Sequence, residues 1–167
     1  MEHHFLEKIW DSTTMNNIYK IKLLAMLLVL GCTSPTAPEN LTFEQQRARW
    51  DAKELTSYTF DVAKHCFCPI SALKGVRLIV QDEEIVKVTD IDTGNVLPLS
   101  DWTGWYETID GLFDLLQDAY DQNAHEVIVE FHPTDGYPTE IWIDYSLMIA
   151  DEEVGFTLLS AVKALHN

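Results

Sequence analysis

The chain has 167 residues, 27 of them Asp or Glu against only 11 Lys or Arg, for a net charge of −16 at pH 7. That balance argues against nucleic acid, whose binding needs Lys and Arg to displace counterions, and against adhesion to an anionic lipid surface. The length fits a single domain.

The first informative stretch is apolar, Leu23 to Leu30, preceded by Lys20 and Lys22 and followed by Gly31 and Cys32. A basic start, an apolar middle and a small residue before the cut describe a secretory signal peptide. The run is too short to cross a bilayer, which takes about 20 residues of helix. A buried core helix is the other reading of a run this short. With its cysteine, Val29-Leu30-Gly31-Cys32 resembles the lipobox of bacterial lipoproteins, although a smaller residue is commoner where Leu30 stands. The resemblance implies that the Cys32 sulfur receives a diacylglycerol, that the chain is cut before it, and that the new amino group is acylated.

Residues 1–14 carry Glu2, Glu7 and Asp11, which is wrong for the basic start of a signal peptide, whereas Met15 opens a complete signal of its own. Translation is therefore expected to begin at Met15. The expected boundaries are a signal peptide over 1–31, a lipidated tether over 32–40 with two prolines, and a domain over 41–167. Cleavage would remove Lys8, Lys20 and Lys22 together with Glu2, Glu7 and Asp11, so the mature charge stays at −16. By the same resemblance, Thr33 in place of an aspartate after the cysteine points to the outer membrane of a two-membrane cell, facing the periplasm. The lipid on Cys32, and not charge, would then hold the protein at the membrane. A cationic partner or a divalent metal suits the acidity, and solubility alone explains it equally well.

The elements follow in order. Leu41 to about Leu55 is helical in pattern, with Phe43, Ala48, Trp50 and Leu55 apolar and Thr42 or Asn40 as N-cap. Ser57 to Ala63 alternates as a strand with Tyr58, Phe60 and Val62 on one face, and runs into His65-Cys66-Phe67-Cys68-Pro69. Val76 to Gln81 and Ile85 to Ile91 form a hairpin around Asp82-Glu83-Glu84, and Asp92 to Asn95 is another turn. After a loop holding Trp102, Gly104, Trp105 and Tyr106, Thr108 caps a helix. Its face is Ile109, Leu112, Phe113, Leu116, Ala119 and Tyr120. Three strands close the chain: Glu126 to His132, Thr139 to Tyr145 and Asp151 to about Val162. The expected fold is α+β in the order α-β-β-β-α-β-β-β. An antiparallel sheet of about six strands has two helices on one face and a polar second face that includes Glu126, Glu130, His132 and Asp144.

Trp50, Tyr58, Cys66-Phe67-Cys68-Pro69, the helix start at Thr108–Phe113, Gly136-Tyr137-Pro138 with Ile141 and Asp144, and Asp151-Glu152-Glu153 stand in this order along the chain. As a set they resemble an uncharacterised family of bacterial secreted lipoproteins, a domain of unknown function, over roughly residues 43–160. Asp82-Glu83-Glu84 departs from an Asp-Gly turn expected there, and Phe131-His132-Pro133 from Tyr-Asp-Pro. The resemblance carries no activity.

Candidate sites each have a plainer reading beside them. Assigning Cys32 to the lipid leaves Cys66 and Cys68, an even pair in an oxidising compartment. As strand residues they would share a face about 6.6 Å apart, near the upper limit for bridged α-carbons. A disulfide is one reading; a metal held by His65, Cys66 and Cys68 with a distant fourth ligand is the other. Asp151, Glu152 and Glu153 offer hard oxygens for calcium but lack the spacing of a calcium loop, so a solvated turn is the alternative. Asp90-x-Asp92-x-Gly94-Asn95 is equally thin. His132, Glu130 and Asp144 could form a general-base set or simply the outer side of a sheet. Trp102, Trp105, Tyr106 and Tyr137 are candidates for an aromatic binding surface, or for packing at the sheet edge. The sequence calls for no cofactor. It points first to a non-enzymatic, lipid-anchored periplasmic binding or interaction module with a protein or small-molecule partner. Second comes a redox or metal-handling lipoprotein using Cys66 and Cys68, and last a hydrolase around His132.

Overall fold

A computed structural model describes residues 41–68, 75–102, 104–149 and 151–165. The expected signal peptide, Cys32, the tether and Pro69 lie outside the described residues. Helix α1 (Phe43–Asp51) begins at Thr42, whose hydroxyl accepts from the Gln45 N–H while the Gln45 side chain accepts from the Thr42 N–H. This reciprocal box satisfies two backbone donors that a helix start leaves open. The helix stops short of Leu55, because the chain turns through Glu54 at φ 51°.

Eight strands follow: β1 (Tyr58–Cys66), β2 (Val76–Gln81), β3 (Glu84–Asp90), β4 (Val96–Leu97), β5 (Glu126–Phe131), β6 (Pro138–Asp144), β7 (Val154–Leu158) and β8 (Lys163–Ala164). Helices α2 (Leu99–Trp102) and α3 (Ile109–Asp121) separate the first four strands from the last four. The strands form one antiparallel sheet in the order β4-β3-β2-β1-β7-β6-β5. Strand β8 shares the β7 side of β1, pairing Tyr58 with Ala164. The α+β class and antiparallel sheet agree with the sequence reading, but about six strands was too few. Strands β4 and β8 have two residues each, too short for alternation to mark. Three helices, not two, occur among the described residues.

Register explains why one face is dry. Tyr58, Phe60 and Val62 of β1 stand opposite Val80, Leu78 and Val76 of β2, and all six are buried. On the other side of β1, Ile141, Ile143 and Phe156 continue the same face. Helix α3 covers it with Ile109, Leu112, Phe113, Leu116 and Ala119. Each large side chain buried this way contributes about 1.5–3 kcal/mol. The helix is also fixed by polar contacts at its start. Thr108 accepts from the Gly111 N–H, and the Ile109 N–H donates to the Tyr58 hydroxyl at 3.0 Å. Burial of that hydroxyl holds its proton on more firmly than in an ordinary tyrosine.

Helix α1 meets α3 largely through side chains. Phe43 packs edge-on against Phe113 and Tyr120, Arg47 pairs with Asp114 at 2.8 Å, and the Trp50 indole donates to Asp110. Trp50 is the one buried residue of α1 and reaches Tyr58 and Tyr137. The turn before β6 approaches α1 most closely at Gly136. A Cβ there would stand 2.4 Å from the Gln46 carbonyl oxygen, and the glycine has φ 82°.

Candidate functional site

Among the described residues, helices cover one face of the sheet and leave the other open. Its rows follow from the pairing. Ile128, Trp142, Gly155 and His65 lie side by side across β5, β6, β7 and β1. Alternation places Trp142 outward because Ile141 and Ile143 point into the core. Trp142 is 36% exposed and Ile128 49%. The indole rests against Gly155, which has no side chain to push it away.

Beside Trp142 opens a cleft of about 400 Å³, lined by His65, Cys66, Phe67 and Glu153 as well as the indole. Cys66 and Cys68 lie at disulfide distance, with their α-carbons 5.2 Å apart. The separation falls below the extended value because the Cys68 N–H donates to the Cys66 carbonyl at 2.8 Å, closing a tight turn. Phe67 stands at its apex, 79% exposed. Two aromatic rings, a carboxylate and an imidazole thus border one cleft. His65 Nε2 lies 2.9 Å from the Thr157 hydroxyl. Among the described residues no three His, Cys, Asp or Glu side chains come together as a metal site. Of the acidic trio, Glu153 lines the cleft, Asp151 is exposed at φ 84°, and the Glu152 Oε1 is buried without a hydrogen bond.

Carboxylates flank the apolar pair. Glu126 stands opposite Asp144, and Glu130 opposite Glu140, two residues on either side of Ile128 and Trp142. The β1–β2 pair shows the usual alternative, with Asp61 opposite Arg77 and two hydrogen bonds of 2.7 and 2.9 Å between them. Like charges directly opposite each other cost stability.

The other sequence candidates are placed differently. Tyr106 and Tyr137 are 3% and 2% exposed, so neither presents a binding surface. Tyr106 stacks on Trp102, and burial pushes its hydroxyl up to about 12. Trp102 and Trp105 are half-buried against the core, and the Lys64 ammonium sits 5.3 Å above the Trp105 ring. Tyr137 is held between Trp50 and His132.

His132 does not join Glu130 and Asp144. A bulge between Glu130 and Phe131 breaks the alternation, and β5 ends at Phe131. His132 turns into the following loop, where its Nδ1 accepts from the Asp135 N–H at 3.1 Å. Asp144 pairs with Glu126 at the far end of β5. Six residues of strand separate it from His132, about 20 Å. Asp90 is a turn cap: its Oδ1 accepts from the N–H groups of Asp92 and Thr93, each at 3.0 Å.

A family of unknown function, DUF6174, matches residues 42–163. The chain belongs to that family. No curated protein and no solved structure matches it. The match covers nearly the same residues as the resemblance read from the sequence. The G-Y-P stretch within it has a physical basis here: Gly136 admits α1, Tyr137 fills the core beside Trp50, and Pro138 begins β6 at the bulge.

Proposed function

We propose that this DUF6174 chain is a non-enzymatic binding module, anchored through a lipid on Cys32 and facing the periplasm, whose partner docks on the open sheet face around Trp142. One observation carries the binding part of the reading: an outward indole on a bare glycine, beside a cleft of about 400 Å³ walled by Phe67, His65 and Glu153. Aromatic bodies with a wet edge are favoured contact residues. The anchor rests on the Cys32 stretch and its resemblance to a lipobox.

The full chain, extracted from the envelope in mild detergent, tests both parts. Its protein mass by light scattering should exceed that of one chain, and Trp142→Ala should reduce it to one chain. Equal masses for the two proteins contradict the binding reading. Incorporation of a palmitate analogue should vanish in Cys32→Ala, and persistent label contradicts the anchor.

Redox handling by Cys66 and Cys68 is the second reading, favoured by the position of Cys66 in the cleft wall. Alkylation of the unreduced, denatured protein separates the two. A structural bridge gives no alkylated cysteine in this pair, whereas a cycling pair gives a mixture that shifts with the redox state of the cell.

A further inference from the structure

We propose that β5 and the carboxylates beside it receive an extended basic segment of a partner protein, added along the sheet edge with two Lys or Arg residues four apart and an apolar residue midway between them. The inference rests on the binding-module reading and names the chemistry of its partner. Three observations meet on this edge. Strand β5 is the last in the sheet, and among the described residues no strand pairs its outer side. An open strand edge accepts another chain through main-chain hydrogen bonds. Glu126, Ile128 and Glu130 alternate along its outward side, so a segment in register would meet carboxylate, apolar side chain and carboxylate in turn.

The third observation is a charge imbalance that no cation on β5, β6 or β7 offsets. Asp144 and Glu140 on β6 double the two carboxylates of β5. Strands β5, β6 and β7 contain no Lys or Arg. Among the described residues no ion pair reaches any of the four carboxylates. Among the described residues, only Asp144 of the four has a polar partner, accepting from the Ser146 N–H at 2.9 Å. The opposed acids therefore repel one another in the free protein. A strand carrying two cations four residues apart, with an apolar residue midway on the same face, would relieve both repulsions and cover Ile128. A second copy of this chain fits poorly, since each brings a net charge of −16.

The test uses the full chain in neutral detergent and a fluorescein-labelled peptide, Gly-Thr-Lys-Val-Leu-Val-Lys-Thr, with a twin carrying Glu for Lys. The lysine peptide should bind by anisotropy, weaken about tenfold between about 20 and 200 mM salt as screening grows, and slow hydrogen exchange along β5. Glu126→Gln with Glu130→Gln should weaken it at least about tenfold, at the strength of a fully formed charge-assisted contact. Unchanged near-ultraviolet dichroism would show that this variant is folded. Equal binding of the glutamate twin, or undiminished binding by the variant, overturns the inference. So does spermidine displacing the peptide without any change in β5 exchange, which would mark a site for small amines. Aggregation of the variant without peptide binding by the wild type also overturns it, because the carboxylates would then only guard the edge. A null peptide result alongside an intact Trp142-dependent complex sinks the basic-strand inference alone; loss of both sinks the binding reading too.

Discussion

The Trp142 indole lies directly on Gly155: a Cβ built on that glycine would stand 3.0 Å from the indole Cε3 and 2.8 Å from the Ile141 carbonyl oxygen. A methyl group therefore has to displace the ring or spread β6 from β7. Gly155→Ala should cost about 1–3 kcal/mol, the usual range for overpacking a full site. Trp142→Ala removes an outward side chain and should cost under about 1 kcal/mol. Urea unfolding of the two variants checks the order, and a larger loss for Trp142→Ala would show that the indole is a core residue.

Gly136 makes a stronger version of the same argument. At φ 82° it sits where L side chains are strained, and its missing Cβ leaves room for the α1 backbone at Gln46. Left-handed backbone costs about 1–2 kcal/mol for alanine, and the clash adds about 1–3 kcal/mol. Gly136→Ala should therefore lose about 2–5 kcal/mol in the same assay. A loss below about 1 kcal/mol would mean that α1 does not rest on this turn.

The β2–β3 turn runs the other way. Asp82 and Glu83 both have positive φ, 49° and 69°, in a two-residue loop. Such loops prefer Asn-Gly or Asp-Gly, and the glutamate departs from the turn expected there. Glu83→Gly should stabilise the domain by about 0.5–1.5 kcal/mol, since glycine takes this backbone freely. A lower thermal midpoint in the variant would refute the strain.

The sequence made the core legible where elements are long. Tyr58, Phe60 and Val62 alternate over a full strand, and the apolar face of α3 repeats for three turns behind the Thr108 cap. Periodicity says nothing about aromatic residues in loops, so Tyr106 and Tyr137 looked available when they are core. The bulge at Glu130 was equally invisible, and it removes His132 from the face that alternation assigned to it. Trp142 could have been found. The alternation that sends Ile141 and Ile143 inward leaves Glu140, Trp142 and Asp144 outside.

Glu107 gives the pH dependence a sign. Burial raises its carboxyl above the ordinary 4.5, the Lys64 ammonium partly lowers it, and Asp114 adds to the rise. A raised carboxyl favours the folded state fully below pH 4.5, and that contribution is lost as pH rises through the folded value. At pH 7 the buried charge is a net cost. Glu107→Gln should raise the thermal midpoint at pH 7, and the gain should shrink as pH falls toward 4.5. A gain that grows on acidification, or a loss at pH 7, would show that the Lys64 charge outweighs burial.

The most direct measurement places a photo-reactive phenylalanine at position 142 in growing cells, with the same residue at Val86, an exposed site on β3, as control. The account predicts a discrete adduct from position 142, retained in the membrane fraction, lost when Glu126 and Glu130 become glutamine, and missing from position 86. No adduct at 142, or the same pattern of adducts from both positions, would contradict a binding surface on the open face of the sheet.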